Sequence, residues 1–347
     1  MLSVIQNFGH HPEHPDPVSR NDAAMKKNLD PAYRPPFWLP GGHLQTILPH
    51  FLAARPRLNY RRERMELPDG DFLDLDWLDG PAGSPLLVLF HGLEGNAQGY
   101  YVLALMQAAR QNGLSGVVVH FRGCSGEPNR LPRAYFAGDS NEIGHVLKQL
   151  HARAPERTLY AAGYSLGGNA LLLWLGQQNT SAQTLVARAA AISAPVNLAA
   201  AGNTLDQGIN RHLYTRHFLH TLKQKALAKA DRHPELFQRE ALVQAGTFRA
   251  FDDFYTAPAH GFHDASDYWQ QAASLPWLRH IRVPTLLINA RNDPFMPGHA
   301  LPDPEQVSSS VRLEFPKHGG HVGFPGNWPG NVSWLPNRLL RFFRDGI

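Results

Sequence analysis

The chain has 347 residues, of which 43% are hydrophobic and 18% charged, with a formal net charge of +4. This balance excludes a disordered chain, and the length suffices for one large α/β domain with an insertion or for two domains. No run approaches the roughly 18 uninterrupted apolar residues of a membrane span, since the best stretch, 185–202, is broken by Arg188, Pro195 and Asn197.

The first residues lack a basic stretch followed by an apolar core, so they do not read as a secretory leader. With a single cysteine, Cys124, the expectation is a cytoplasmic protein. Residues 1–57 read as an N-terminal arm, rich in His and Pro up to residue 36 and extended rather than part of a sheet. His10, His11 and His14 lie in that arm without a closed ligand set at useful spacing, so no metal is expected. The basic residues are scattered rather than gathered in a block, which offers nucleic acid no patch.

Residues 60–67 and 72–77 flank Pro68-Asp69-Gly70, and apolar and acidic residues alternate through 72–77. That pattern predicts an antiparallel hairpin. Short continuous apolar runs follow at 85–90, 116–121, 157–162, 187–193, 284–290 and 311–315, with helical patterns at 97–112, 139–153, 165–178 and 333–345. Unbroken apolar runs mark strands buried on both faces, so an α/β fold with a mostly parallel sheet is expected. About ninety residues separate the runs at 187–193 and 284–290, too many for a loop. Helical patterns at 205–230 and 234–244 and an aromatic-rich stretch at 248–269 fill the gap. The expected organisation is a core of 58–196 and 276–347 interrupted by a helical cap, 197–275.

Gly163-Tyr164-Ser165-Leu166-Gly167 stands between a predicted strand and a predicted helix. A Gly-x-Ser-x-Gly in that context is a nucleophile elbow, which presents the serine hydroxyl above the sheet at a strained turn. A serine needs a base to take its proton and an acid to orient that base, in the chain order Ser, Asp or Glu, His. Asp293 follows the run at 284–290, and His321 follows the run at 311–315. Both therefore fall at carboxyl ends of parallel strands, where open α/β sheets carry their sites. His318 is a second candidate base and Asp303 a second acid. The Gly319-Gly320 pair suits a turn presenting His321, and Asp303 lies ten residues farther from its strand.

An oxyanion hole needs two backbone N–H groups. Leu166, after the serine, is one expected donor, and Leu93 in His91-Gly92-Leu93-Glu94-Gly95 is the other, with His91 ordering that loop. Cys124 reads as a small loop residue, and Arg122 as a loop holder through carboxylate pairing. Alone, each of Ser165, Asp293 and His321 has a plain reading as a turn or loop residue. In the required order and each at a strand end, they read together as acyl-transfer chemistry. No phosphate or dinucleotide loop is present, and the chemistry needs no cofactor.

These motifs resemble the α/β-hydrolase superfamily, and its YheT-like branch (the AB hydrolase 4 family) in particular. The resemblance rests on Phe37-Trp38-Leu39-Pro40-Gly41-Gly42-His43-Leu44-Gln45-Thr46, the blocks at 91–95, 121–126 and 163–169, and Asp252, Gly261, Phe262, Asp267, Tyr268, Ile281, Pro284, Asn292 and Asp293. Trp269 stands where that signature has tyrosine, and Ala273 where it has serine or threonine. The resemblance implies charge-relay roles for Ser165, Asp293 and His321, and relatives that are esterases, lipases or medium-chain alcohol acyltransferases. The expected activity is a serine carboxylic-ester hydrolase acting through an acyl-enzyme on short- to medium-chain acyl esters or lipids, with Phe254, Phe262 and Trp269 of the cap lining the acyl pocket. An ester synthase using the same residues is the alternative, and a non-catalytic binding protein would usually lack one of the three. A dehalogenase or epoxide hydrolase needs a carboxylate at 165.

Overall fold

A computed structural model describes residues 33–346. Eight strands form one sheet in the order β1-β2-β4-β3-β5-β6-β7-β8. They are β1 (Arg61–Glu66), β2 (Phe72–Leu78), β3 (Leu86–Phe90), β4 (Ser115–His120), β5 (Leu159–Tyr164), β6 (Arg188–Ile192), β7 (Thr285–Ile288) and β8 (Val311–Glu314). β1 pairs antiparallel with β2, and β2 antiparallel with β4, while all pairs from β4 to β8 are parallel. The hairpin and the parallel sheet expected from the sequence are both present.

The central strands are buried throughout because side chains leave them alternately on two covered faces. Leu86, Val88 and Phe90 join one core with Ile143 and Trp174, while Leu87 and Leu89 join another with Val102, Leu105 and Phe343. The helices on the two faces are α2 (Tyr100–Gln111), α3 (Ser140–Arg153), α4 (Leu166–Gln178) and α8 (Trp334–Asp345), each within a few residues of its predicted range. On β2, even the aspartates are buried. Arg64 forks onto Asp74 at 2.8 and 2.9 Å, and Arg62 onto Asp76 at 2.7 and 2.9 Å, which satisfies their oxygens away from water.

Two expectations need correction. The predicted arm holds a helix, α1 (Gly42–Leu52), just after Trp38-Leu39-Pro40-Gly41. Its start is encoded by Gly41, whose φ of 77° suits glycine, and Pro49 inside it did not prevent it. Residues 1–32 of the arm, including His10, His11 and His14, lie outside the described residues. The helical pattern 205–230 is not one helix. α5 (Leu198–Leu205) ends before Gly208, whose φ is 51°, and α6 (Arg216–Ala230) follows a π-helical turn at Arg211–Thr215.

Between β6 and β7 the chain forms helices and no strand, including α5, α6 and α7 (Ala265–Ala272). Phe237, Leu242, Phe251 and Tyr255 share a cluster with Leu219 on α6. Among the described residues, no helix is long and apolar enough to cross a membrane.

Candidate active site

β5 runs into the elbow, and the turn leaves almost no room. A Cβ on Gly163 would stand 2.5 Å from the Gly167 carbonyl oxygen, and one on Gly167 would strike the His91 carbonyl oxygen. Glycine at both positions lets α4 start tight against β5 and β3. Ser165 pays for the turn with φ 50° and ψ −119°, a conformation that costs an L-residue about 1–3 kcal/mol and survives where its surroundings over-determine it. Its amide donates to the Ile192 carbonyl at 2.8 Å, which fastens the turn to β6.

Ser165 Oγ lies 3.0 Å from His321 Nε2, and His321 Nδ1 lies 2.9 Å from Asp293 Oδ2. The three residues come from the turns after β5, β7 and β8 and meet at one sheet edge. Asp293 is shut away from solvent, and its Oδ1 accepts the Phe295 amide at 2.8 Å. The Phe295 ring then covers the imidazole, with centroids 4.0 Å apart. His318 stands outside the chain of contacts, 3.5 Å from Asn292 Nδ2. Asp303 caps the short helix Pro304–Gln306.

The loop after β3 is ordered from inside by His91, as expected. Its Nδ1 donates to the Gly92 carbonyl at 2.7 Å and its Nε2 accepts the Phe121 amide at 3.1 Å. Burial pushes this imidazole down to about 3, so it is neutral. The Gly92 amide is donated to Tyr101 Oη at 3.0 Å, the Glu94 amide to Tyr135 Oη at 2.7 Å, and the Gly95 amide to the Gly92 carbonyl at 3.0 Å. Leu93, between them, sits in the loop that faces the elbow. A Cβ on Gly92 would be 3.2 Å from the Ser165 Cβ. Glu94 has φ 55°, and its carboxylate takes the Tyr135 hydroxyl at 2.9 Å and the Lys225 ammonium of α6 at 2.8 Å.

The aromatics between β6 and β7 divide. Phe262 and Trp269 belong to the cluster that Leu93 and Leu166 pack against, together with Phe218, Phe248 and Leu205. Phe254 packs elsewhere, against the cap's own core of Phe251 and Tyr255. Trp269 is itself buried, and its indole N–H donates to Asp252 at 2.8 Å.

Arg122 is buried in a fork of Asp69, Asp71 and Glu142, the loop-holding role read from its sequence. Cys124 is buried, and desolvation pushes its thiol up to about 12, which leaves no thiolate for attack. Among the described residues, no group of three or more His, Cys, Asp or Glu is arranged to hold a metal.

Several supporting residues escaped the sequence. Phe295 gave no signal beyond following Asp293-Pro294. Ser193, at the end of β6, accepts the Val322 amide at 3.1 Å. Asn169, just beyond the elbow, is fully buried, donates to the Ala137 and Ala272 carbonyls at 2.8 Å and accepts the Ser274 amide at 3.0 Å. It ties α4 to the end of the helical segment that precedes β7.

The sequence profile of the alpha/beta hydrolase fold matches residues 85–327. The chain is 40% identical over 303 residues to YheT of Escherichia coli (strain K12), which covers 86% of this chain and 88% of that one. It is 29% identical to phospholipase ABHD3 of Homo sapiens, over 89% of this chain and 78% of that one. Among solved structures, esterase Pf2001 of Pyrococcus furiosus superposes with a TM-score of 0.55 at 14% identity, over 84% of this chain and 97% of that one. The esterase EaEST of Exiguobacterium antarcticum gives 0.52 at 16%, over 82% of this chain and 100% of that one. Those two likenesses concern the fold alone. With the profile spanning strands β3 to β8 and the kinship to YheT running over most of its length, the chain belongs to the α/β-hydrolase family, in its YheT-like branch.

Proposed function

We propose that this protein is a serine carboxylic-ester hydrolase working through an acyl-enzyme. The observation that carries the reading is the unbroken run of hydrogen-bond contacts Ser165 Oγ to His321 Nε2 and His321 Nδ1 to Asp293 Oδ2, at 3.0 and 2.9 Å. Nucleophile, base and orienting acid stand within the reach that such catalysis needs. The strained backbone at Ser165 supports a functional rather than a structural role for the turn. Relatives bear the names phospholipase, for ABHD3, and monoacylglycerol lipase, for a Saccharomyces cerevisiae protein 26% identical to this chain. Both names denote ester hydrolysis.

In the mechanism, Asp293 holds the proton on His321 Nδ1, which leaves Nε2 as the lone-pair base. Ser165 Oγ attacks the ester carbonyl carbon as its proton passes to Nε2, and the carbonyl oxygen becomes an oxyanion. The amides of Leu93 and Leu166 stabilise that charge. Collapse of the tetrahedral species expels the alcohol, which takes the proton from Nε2, and leaves the acyl group bonded to Ser165 Oγ. Water then loses a proton to Nε2, attacks the acyl carbon, and is released as the acid while Ser165 regains its proton. Asp293 stabilises the imidazolium at both stages. The acyl chain is directed toward Phe218, Phe248, Phe262 and Trp269, the cap aromatics that cluster with Leu93 and Leu166. Short- to medium-chain esters or lipids are the substrates.

Labelling with a fluorophosphonate probe, followed by a p-nitrophenyl ester series from acetate to palmitate, tests the proposal. The expected result is stoichiometric labelling of Ser165 and turnover that is highest for short to medium chains. A folded enzyme that neither labels nor hydrolyses any member contradicts it. Adding an alcohol to the assay separates hydrolysis from ester synthesis, with free acid expected as the main product.

A further inference from the structure

The loop carrying His321 has neither helix nor strand on its side of β8 until α8, so something else must fix where the imidazole stands. Three successive backbone amides of that loop are each taken by a side chain from another segment. Gly319 N–H donates to Gln45 Oε1 at 2.9 Å, Gly320 N–H to Asn292 Oδ1 at 3.1 Å, and His321 N–H to Thr46 Oγ1 at 2.8 Å. Two of the three acceptors lie near the start of α1. They are themselves held: Thr46 Oγ1 donates to the Gly42 carbonyl at 2.7 Å. Gln45, 1% exposed, donates through Nε2 to the Leu39 carbonyl at 2.9 Å, and its Oε1 also takes Asn292 Nδ2 at 3.0 Å.

Packing closes the same joint. A Cβ on Gly320, whose φ is 64°, would stand 2.8 Å from the Gly42 carbonyl oxygen and the Thr46 nitrogen. One on Gly42 would strike the Asn292 carbonyl oxygen, and one on Gly323 the Gln45 carbonyl oxygen. Backbone therefore lies directly on backbone where α1 meets the loop. The family profile begins at residue 85, so this joint is supplied from outside the segment it describes.

We infer that Gln45 and Thr46 are positioning residues for His321, and that α1 is a working part of the active site rather than a surface appendage. The inference rests on the ester-hydrolase reading for its kinetic readout, and on geometry alone for its spectroscopic one. Thr46 is the more direct, because its hydroxyl is the acceptor for the amide of the base itself. Removing it leaves a buried N–H unpaired, and the loop shifts to find water or another acceptor. A displacement of about 1 Å at a reacting group costs on the order of 10²-fold in rate.

The experiment compares Thr46→Val, Thr46→Ser and Gln45→Met with the wild type. It reads kcat and KM for p-nitrophenyl butyrate, the thermal melt, and the low-field NMR proton of the His321 to Asp293 hydrogen bond. Thr46→Val is expected to lose about 10- to 100-fold in kcat with KM within about twofold, and its low-field proton to shift or broaden. Thr46→Ser restores both readouts, and Gln45→Met behaves like Thr46→Val while still melting cooperatively above the assay temperature. Wild-type kcat and proton in Thr46→Val and Gln45→Met overturn the inference. So do equal losses in Thr46→Val and Thr46→Ser, or unfolding of both Thr46→Val and Gln45→Met at the assay temperature, which assign the joint to folding alone. A wild type that shows the proton but hydrolyses no ester overturns the functional reading instead, and the proton then decides the positioning role.

Discussion

Phe295 covers the imidazole of His321, its ring 23° from parallel at 4.0 Å, while its amide donates to the Asp293 carboxylate at 2.8 Å. One residue thus contacts both members of the His321–Asp293 pair, and Tyr214, from the π-helical turn ahead of α6, packs edge-on against it at 4.7 Å. Phe295→Ala keeps the amide bond and removes the covering ring. The expected outcome is a loss of about 3 kcal/mol in stability with a fall of about 10-fold in kcat, read by urea denaturation and steady-state kinetics. Unchanged kcat in a destabilised variant shows that the ring only packs.

The elbow makes a stricter demand. A methyl on Gly163 meets the Gly167 carbonyl carbon at 2.7 Å and the Gly168 Cα at 2.7 Å, both backbone that cannot rotate away. Gly163→Ala is therefore expected to lose about 3 kcal/mol or more, as overpacking does at a site that cannot relax, and to lose ester turnover along with it. Wild-type melting of that variant contradicts the described turn.

Tyr135 braces the loop after β3. Its hydroxyl accepts the Glu94 amide at 2.7 Å and donates to the Glu94 carboxylate at 2.9 Å, beside the proposed donor Leu93. Tyr135→Phe leaves that amide and carboxylate short of a partner, a loss of about 1–3 kcal/mol. A lower kcat at nearly constant KM is expected, because an oxyanion-hole contact acts mainly in the transition state. A rise in KM alone assigns the loop to substrate binding.

In the helical segment between β6 and β7, burial raises the Asp252 carboxyl to about 7, a shift opposed by hydrogen bonds from Thr256 and Trp269 and reinforced by the negative charges of Asp206 and Asp253. A folded carboxyl with a raised pKa keeps its proton where the unfolded one, near 3.8, has lost it. The folded state then binds more protons between about pH 4 and 7, and stability falls as pH rises through that window. Asp252→Asn removes this contribution, so its melting temperature relative to wild type is expected to climb from pH 5 to pH 8. A difference that stays flat across that range contradicts a raised carboxyl at this position.

Legibility in the sequence followed the range of the interactions. The parallel strands were visible because a strand buried on both faces must be apolar throughout, as in Leu86-Leu87-Val88-Leu89-Phe90. Ser165, Asp293 and His321 were visible because elbow, strand end and chain order constrain them locally. What escaped depends on contacts across hundreds of residues. Gln45 bonds Gly319 and Thr46 bonds His321, and nothing near positions 45 or 46 in the chain encodes those partners. The prolines and glycines from 35 to 42 signal an extended arm and mask the apolar spacing that forms α1. Phe254 was grouped with Phe262 and Trp269 by nearness in sequence. Phe254 packs instead with Leu219, Phe251 and Tyr255, apart from Phe262 and Trp269.

The central claim is that Ser165 carries the acyl group. Intact-protein mass spectrometry during the first turnovers of p-nitrophenyl butyrate tests it most directly. The account predicts a butyryl adduct that maps to Ser165 and accumulates when deacylation limits turnover, absent from Ser165→Ala, with turnover in that folded variant lower by about 10⁴-fold or more. An adduct on another residue, or turnover retained in Ser165→Ala, contradicts it.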